Sequence, residues 1–262
     1  RAAAGPTGRR KLPAGRNGGD VTKAQEAHSA AVDLSVVIPL YNEEESVALL
    51  CSTLHEQMQS LGRSYEIVLV DDGSRDGTWG RMAEAAGRWP HLRLIRFRRN
   101  FGQTAAMSAG FAYARGTWIV TMDADLQNDP ADIPRLLERA EQGFDVVSGW
   151  RKDRKDRFLT RRLPSMLANR LISTITGVRL HDYGCTLKIY HHDIIKNIRL
   201  YGEMHRFIPA LASWVGGDID EVVVRHHSRK FGESKYGLSR TLRVVLDLIT
   251  VKFLLRYSGG PI

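Results

Sequence analysis

Trp118-Ile-Val-Thr-Met-Asp-Ala-Asp-Leu-Gln127 is the stretch on which the fold turns. A short apolar run ends abruptly in two carboxylates one residue apart. A strand buried on both faces reads as a continuous apolar run, and in open α/β sheets ligands gather beyond the carboxyl ends of the strands. Asp123 and Asp125 stand at such an end. Residues two apart in an extended segment point the same way, so the pair is expected to offer oxygens to one hard cation, with Gln127 continuing that face. Oxygen ligands suit Mg2+ or Mn2+, which keep open positions for substrate phosphates. An isolated Asp-x-Asp is equally explained by a turn that Asp125 starts and a cap that Asp123 provides, so the surrounding chain decides.

Outward from this stretch, apolar runs of strand length alternate with helix-length periodic segments, the pattern of an α/β protein whose mostly parallel sheet is covered on both faces. Strands are expected at 34–38, stopped by Pro39, at 66–70, at 92–97 and in the run into Asp123. Helices are expected at 43–61, with Leu49, Leu50, Leu54, Met58 and Leu61 on the core side, at 79–89 and at 102–115. Pro130 opens a further helix, where proline is tolerated in the first turn. A strand at 145–150, one near 185–190, a helix at 205–215, a strand at 219–227 and a polar loop at 228–236 complete the order. Residues 238–257 then read as a helix of ~30 Å, with its charges on shifting faces and cations at its end.

A chain of 262 residues with 43% hydrophobic content buries a full core, which excludes disorder of the whole. Cys51 and Cys185 have no partner spacing for zinc, redox chemistry or a disulfide framework, and point to a reducing compartment. The net charge is +9, and residues 1–32 carry six cations against two acids, so a tail supplies four of those charges. Residues 1–32, rich in Gly, Ala, Arg and Pro without a periodic apolar face, are expected to be a disordered basic tail. Residues 33–237 are expected to form the catalytic domain and 238–262 a juxtamembrane amphipathic helix. Between 151 and 162 seven cations, Arg151 among them, face two acids with apolar residues interleaved. Such a segment fits either an anionic membrane surface or a solvated helix face. No run of ~18 apolar residues spans a bilayer, yet a chain cut before membrane spans would look the same. Nucleic acid is not expected as a partner, because no stacking platform accompanies the charge.

Two rival sites fall to the sequence. Asp72-x-Ser74-x-Asp76-Gly77 copies the start of a calcium loop, but Ala83 stands where the bidentate acid belongs. The first strand leads into Pro39-Leu40-Tyr41-Asn42-Glu43 instead of a glycine-rich dinucleotide turn. The carboxylates of Asp71-Asp72-Gly73-Ser74 overhang the same sheet edge as Asp123 and can accept from a nucleobase N–H or a ribose hydroxyl.

Val37-Ile-Pro-Leu-Tyr-Asn-Glu-Glu44, Val70-Asp-Asp-Gly-Ser74, Arg99-Asn-Phe-Gly-Gln103, Met122-Asp-Ala-Asp-Leu-Gln127, Asp182-Tyr-Gly-Cys185 and Arg229-Lys-Phe-Gly-Glu-Ser-Lys-Tyr236 follow one another in this chain. In that order they resemble the polyprenyl-phosphate glycosyltransferases, the branch of family 2 with the Rossmann-like GT-A fold that includes dolichol-phosphate mannose synthase. The wording around Asp182 and Arg229 is similar to bacterial members that load glucose or aminoarabinose onto undecaprenyl phosphate. The resemblance implies that Pro39, Tyr41, Glu43 and Asp72 line a nucleotide pocket, with Asp123, Asp125 and Gln127 at a Mg2+ or Mn2+ site beneath the diphosphate. It implies that Arg151 faces phosphate groups and nominates Asp182 as a base, although Asp182 reads equally as a residue that orients a cation or the sugar. Arg229 and Lys235, with Ser234, lie on a Gly232-containing loop able to wrap an acceptor phosphate.

The activity implied is inverting transfer of a sugar from a nucleotide diphosphate, UDP favoured over GDP, to a polyprenyl phosphate at the cytoplasmic face of the cell membrane. Self-association is left open. A GT-A transferase of soluble polysaccharide or glycoprotein synthesis would not need the basic segment, the Arg229 loop or the terminal helix. A non-catalytic nucleotide-binding module at a membrane would tolerate loss of Asp125, which is present.

Overall fold

A computed structural model describes residues 32–152, 163–228, 248–250 and 252–253, without the side chains of 163–168. The proposed tail below residue 32, most of the basic segment, the Arg229 loop and most of the terminal helix lie outside the described residues. The strands are β1 (Val32–Leu40), β2 (Tyr65–Asp71), β3 (Leu92–Arg96), β4 (Gly116–Thr121), β5 (Val146–Trp150), β6 (Lys188–His191) and β7 (Ile219–Val223). The helices are α1 (Glu44–Ser60), α2 (Thr78–Arg88), α3 (Gln103–Tyr113), α4 (Ile133–Glu141), α5 (Leu163–Thr176), α6 (His192–Lys196) and α7 (Ile208–Trp214).

The strands form one sheet in the order β3-β2-β1-β4-β6-β5-β7. β1, β2, β3 and β4 are parallel, as are β5 and β7, while β6 runs antiparallel to both β4 and β5. Alternation sorts each strand's side chains between the two faces. Leu34, Val36, Ile38, Ile67 and Leu69 join one cluster with α1, α2 and α4, whereas Val37, Val68 and Val70 join another with α3, α6 and α7. A third cluster, with Tyr183, Met204 and Phe207 at its centre, packs beside α5. On one face α3 approaches so closely that a Cβ on Gly110 would collide with Val37.

Three expectations are corrected. Pro39 does not stop β1: it pairs with Val70, beyond the point where the β4 register ends at Val37 and Thr121, so its missing N–H interrupts no ladder there. Leu49 is 38% exposed, and Val47 and Cys51 join Leu50, Leu54 and Met58 in the buried stripe of α1 instead. The helix expected at 205–215 divides into a 3-10 turn, Met204–Phe207, and α7, with Pro209 near the start of the second piece. Among the described residues no helix is long and apolar enough to cross a membrane.

Candidate active site

β1 lies between β2 and β4, so the strand order reverses beside β1 and a crevice opens at the carboxyl ends of these strands, the usual ligand position in such sheets. A cavity of about 190 Å³ occupies this place. Its lining includes Pro39, Tyr41, Glu43, Asp72, Asp123 and Asp125, so six of the seven residues expected around a nucleotide and its metal converge there, Gln127 being the exception. Asn100, Gly102 and Gln103 complete one wall.

Asp72 is 3% exposed and accepts from Asn100 Nδ2 at 2.9 Å, Phe101 N at 2.7 Å and Gly102 N at 2.9 Å. Burial pushes its carboxyl above the usual range, although the Phe101 and Gly102 amides oppose that shift. The Asp72 carboxylate therefore fixes the pocket wall as well as facing the cavity. Gly73, with φ of 71°, turns the chain away, and a Cβ there would come within 2.8 Å of the Arg99 carbonyl oxygen. The rest of the loop is tied to the start of α1: Asn42 N donates to Ser74 Oγ at 2.9 Å, and Gly77 N donates to Glu44 Oε2 at 2.9 Å. Asp76 accepts from Thr78 N at 3.0 Å and from its hydroxyl at 2.5 Å, so this acid caps α2.

β4 ends at Thr121, and residues 124–126 form a turn, so the extended alternation expected through Gln127 does not hold. Leu126 adopts φ of 60°, a conformation rare for a leucine, with its side chain held in the core. Asp125 Oδ1 accepts from Gln127 N at 3.1 Å. The turn thus brings Asp125 into the cavity beside Asp123 and sends Gln127 out of it; Gln127 Nε2 lies 3.4 Å from the His227 carbonyl oxygen. Asp123 accepts from Gln103 Nε2 at 2.8 Å and from the Thr186 hydroxyl. Gln103 and Thr186 stand in or next to motifs visible in the sequence, but their partnership across 20 and 63 positions with Asp123 does not show there.

Four carboxylates, from Glu43, Asp72, Asp123 and Asp125, face one cavity. A diphosphate could not approach them without a cation between, and the oxygen-only donor set suits Mg2+ or Mn2+. Among the described residues no three His, Cys, Asp or Glu side chains form a metal cage by themselves. Two protein carboxylates with the remaining positions left to phosphate oxygens and water is the arrangement such an ion favours.

Beside this cavity lies a positive group. Arg151, at the end of β5, forks onto Asp182 through Nε at 2.7 Å and Nη2 at 3.0 Å. Gly184 N adds a bond to Asp182 Oδ1 at 3.1 Å. The guanidinium is held charged: burial works against the charge, but the Asp182 carboxylate outweighs it. Lys188, 2% exposed at the start of β6, donates to the carbonyls of Tyr183 at 3.3 Å and of Cys185. Burial pushes its ammonium below the usual lysine range. A buried cation at a strand position is the residue the sequence reading missed; its apolar neighbours Leu187 and Ile189 were the signal.

The segment leading to Arg229 is pinned next to the Asp125 turn. His226 bridges Asn128, His227 N donates to the Gln127 carbonyl at 2.9 Å, and Arg225 binds Asp132 through N at 2.7 Å and Nε at 3.1 Å. Arg229 and Lys235 themselves lie outside the described residues.

A mostly parallel seven-stranded sheet with one reversed strand and a carboxylate-lined cavity at its switch point is the GT-A class of nucleotide-dependent transferases. The model of the family described as glycosyl transferase family 2 matches residues 35–199, and the chain belongs to that family. It is 51% identical over 88% of its length to the dodecaprenyl-phosphate galacturonate synthase of Rhizobium johnstonii, covering 70% of that protein. It is 46% identical over 84% of its length to the undecaprenyl-phosphate 4-deoxy-4-formamido-L-arabinose transferase of Pseudomonas paraeruginosa, covering 65% of it. Among solved structures, glucosyl-3-phosphoglycerate synthase from Mycobacterium tuberculosis, in complex with Mn2+, UDP and phosphoglyceric acid, superposes with a TM-score of 0.62 at 19% identity. That match covers 94% of this chain and 86% of the other.

Proposed function

We propose that the protein transfers a sugar, with inversion, from a nucleotide diphosphate to a polyprenyl phosphate at the cytoplasmic face of a membrane, yielding a lipid-linked sugar donor. The observation that carries this reading is the convergence of Asp72, Asp123 and Asp125 on one cavity at the sheet's switch point. The names of the relatives at 51% and 46% identity support the acceptor class and make UDP-linked galacturonate and 4-deoxy-4-formamido-L-arabinose the donors to test first. UDP is favoured over GDP.

In this reading Pro39, Tyr41, Glu43 and Asp72 receive the nucleotide. Asp123 and Asp125 would hold Mg2+ or Mn2+, which would stabilise the charge of the departing nucleoside diphosphate. Gln127 supports the turn through its backbone instead of supplying a ligand. Arg151 and Asp182 act as a pair, with the guanidinium offering positive potential next to the cavity and the carboxylate keeping it in place. The acceptor, a phosphate monoester with its second pKa near ~6, is largely a dianion at neutral pH. It needs cations more than it needs a base. Arg229 and Lys235 supply them, an arginine gripping phosphate through two parallel hydrogen bonds; the chain enters that loop directly from the His226–Asn128 bridge. The domain at 33–237, the basic run and the helix at 238–262 make the approach to the membrane surface.

The test is turnover of purified protein with each UDP-sugar, Mn2+ and a polyprenyl phosphate, with product read as radiolabelled lipid. Asp125→Ala is expected to lose both turnover and the thermal stabilisation that UDP and Mn2+ give together. Full activity of that variant in excess chelator would remove the metal from the scheme, and failure of every UDP-sugar against a working GDP-sugar would reverse the nucleotide.

A further inference from the structure

The end of the sheet opposite the cavity holds a side-chain cluster that sugar transfer does not use. His55 comes from α1, Tyr65 opens β2, and His91 lies in the turn that precedes β3. His55 Nδ1, Tyr65 Oη and His91 Nε2 form a triangle measuring 3.0 Å on every side. The two imidazoles are stacked within 7° of parallel with centroids 4.9 Å apart, and all three residues are half-buried.

Protons alone do not bridge all three edges of this triangle. A neutral imidazole nitrogen presents either a proton or a lone pair, and the phenol has one proton to give. With no inward N–H, one proton serves three contacts. With one inward N–H, two contacts are bridged and a third is left. With two inward N–H groups, both donate to the phenol oxygen but face each other across 3.0 Å. A single cation meets all three lone pairs at once.

We propose that His55, Tyr65 and His91 bind one transition-metal ion, with Zn2+ the ion of choice. Donors 3.0 Å apart and bonds of about 2.0–2.1 Å put the ion about 1.1 Å off the plane of the triangle, with a fourth, tetrahedral position for water. The two nitrogens keep their lone pairs for the ion, and the phenol proton passes to solvent as the metal–oxygen bond forms. Imidazole selects Zn2+, whereas the oxygen-only carboxylates of the cavity select Mg2+ or Mn2+, so the two sites would be filled by different ions. Since its ligands come from α1, β2 and the α2–β3 turn, the ion would clip together three elements at the end of the sheet farthest from the chemistry.

Calorimetric titration of the untagged, chelator-stripped full chain with Zn2+, in excess Mg2+ to occupy the carboxylates, tests this. One equivalent of Zn2+ is expected. His55→Gln and His91→Ala are each expected to weaken binding by more than about tenfold, since even loss of an outer-shell partner costs roughly 10–100-fold. Asp125→Ala is expected to bind as the wild type does. His55 is on a helix surface, so its glutamine variant reports even where His91→Ala does not fold. Tyr65→Phe keeps the ring and is expected to reduce affinity as well. The proposal is overturned by no binding, by equal binding in wild type and His55→Gln, or by binding that disappears with Asp125→Ala.

Discussion

Asp182→Asn separates a carboxylate that acts on substrate from one that holds a buried cation. The Arg151 fork meets both Asp182 oxygens, and the two side chains keep only 12% and 4% of their exposure. Asparagine preserves the shape but replaces one accepting oxygen with an amide that points its own donors at the guanidinium. Breaking a buried ion pair from one side costs about 3–5 kcal/mol. In a domain of this size each kcal/mol moves Tm by roughly 2–4 °C, so Asp182→Asn is expected to melt roughly 6–20 °C lower. Circular dichroism melts measure this, and the double variant Arg151→Met with Asp182→Leu, which removes both charges, is expected to recover a large part of the loss. Assayed well below its melting range, Asp182→Asn is expected to keep some transfer activity, rising relative to wild type as the pH passes the acceptor's second pKa of ~6. An asparagine variant that melts like the wild type yet is inactive at every pH would refute the reasoning and make Asp182 a group that works on the substrate.

Three further outcomes follow from other parts of the molecule. Burial raises the Glu66 carboxyl, but hydrogen bonds from Ser35, Arg115 and Arg93 outweigh it and the net direction is down. A depressed carboxylate contributes stability above its unfolded pKa of ~4.3 and loses it as pH falls through the lower folded value. Wild type should therefore exceed Glu66→Gln in urea midpoint at neutral pH, with the gap closing in acid; a constant gap would disprove the linkage. Gly73→Ala forces a Cβ at φ of 71° against the Arg99 backbone, so a loss of about 1–3 kcal/mol is expected in thermal melts, and an unchanged melt would show that the turn opens freely. Binding to anionic liposomes, measured by co-sedimentation, is expected to fall as salt rises past the ~10 Å Debye length reached near 0.1 M, and salt-independent binding would argue against a basic approach to the membrane.

The parallel half of the sheet was legible because β1, β2 and β4 are apolar on both faces, and runs such as Ile67-Val-Leu-Val70 have no other economical reading. The reversed strand was harder. β6 is four residues long and begins with a buried lysine, so neither length nor hydropathy marks its direction; only its pairing with β4 and β5 does. At the site, the residues that share a cavity were legible as motifs at strand ends, but their local geometry was not. Alternation predicted one face for Asp123, Asp125 and Gln127, and a leucine at positive φ removed Gln127 from it. Local rules disfavour that conformation, and it persists because the surrounding core holds the Leu126 side chain. The Arg151–Asp182 pair spans 31 positions, and nothing local to either residue announces it.

The reversal of β6 also divides the charges of the site. Carboxylates follow the parallel strands β1, β2 and β4, whereas Arg151 and Lys188 belong to the antiparallel side formed by β5 and β6. Asp123 stands at the boundary, bonded on one side to Gln103 of α3 and on the other to Thr186 just before β6. On the proposed reaction, two phosphorylated substrates of like charge have to be brought together. A cation between carboxylates can receive one of them, and the fixed Arg151 guanidinium can lend positive potential to the other. Were both supported by the same kind of group, the site would carry an excess of one sign and repel either the substrates or itself. A sheet that changes strand direction beside its switch point supplies both signs within one crevice, and Asp123 couples them: the same carboxylate that faces the cavity is oriented by a hydroxyl from the cationic side. Thr186→Val, which deletes that hydroxyl and little else, therefore bears on the donor and acceptor halves together.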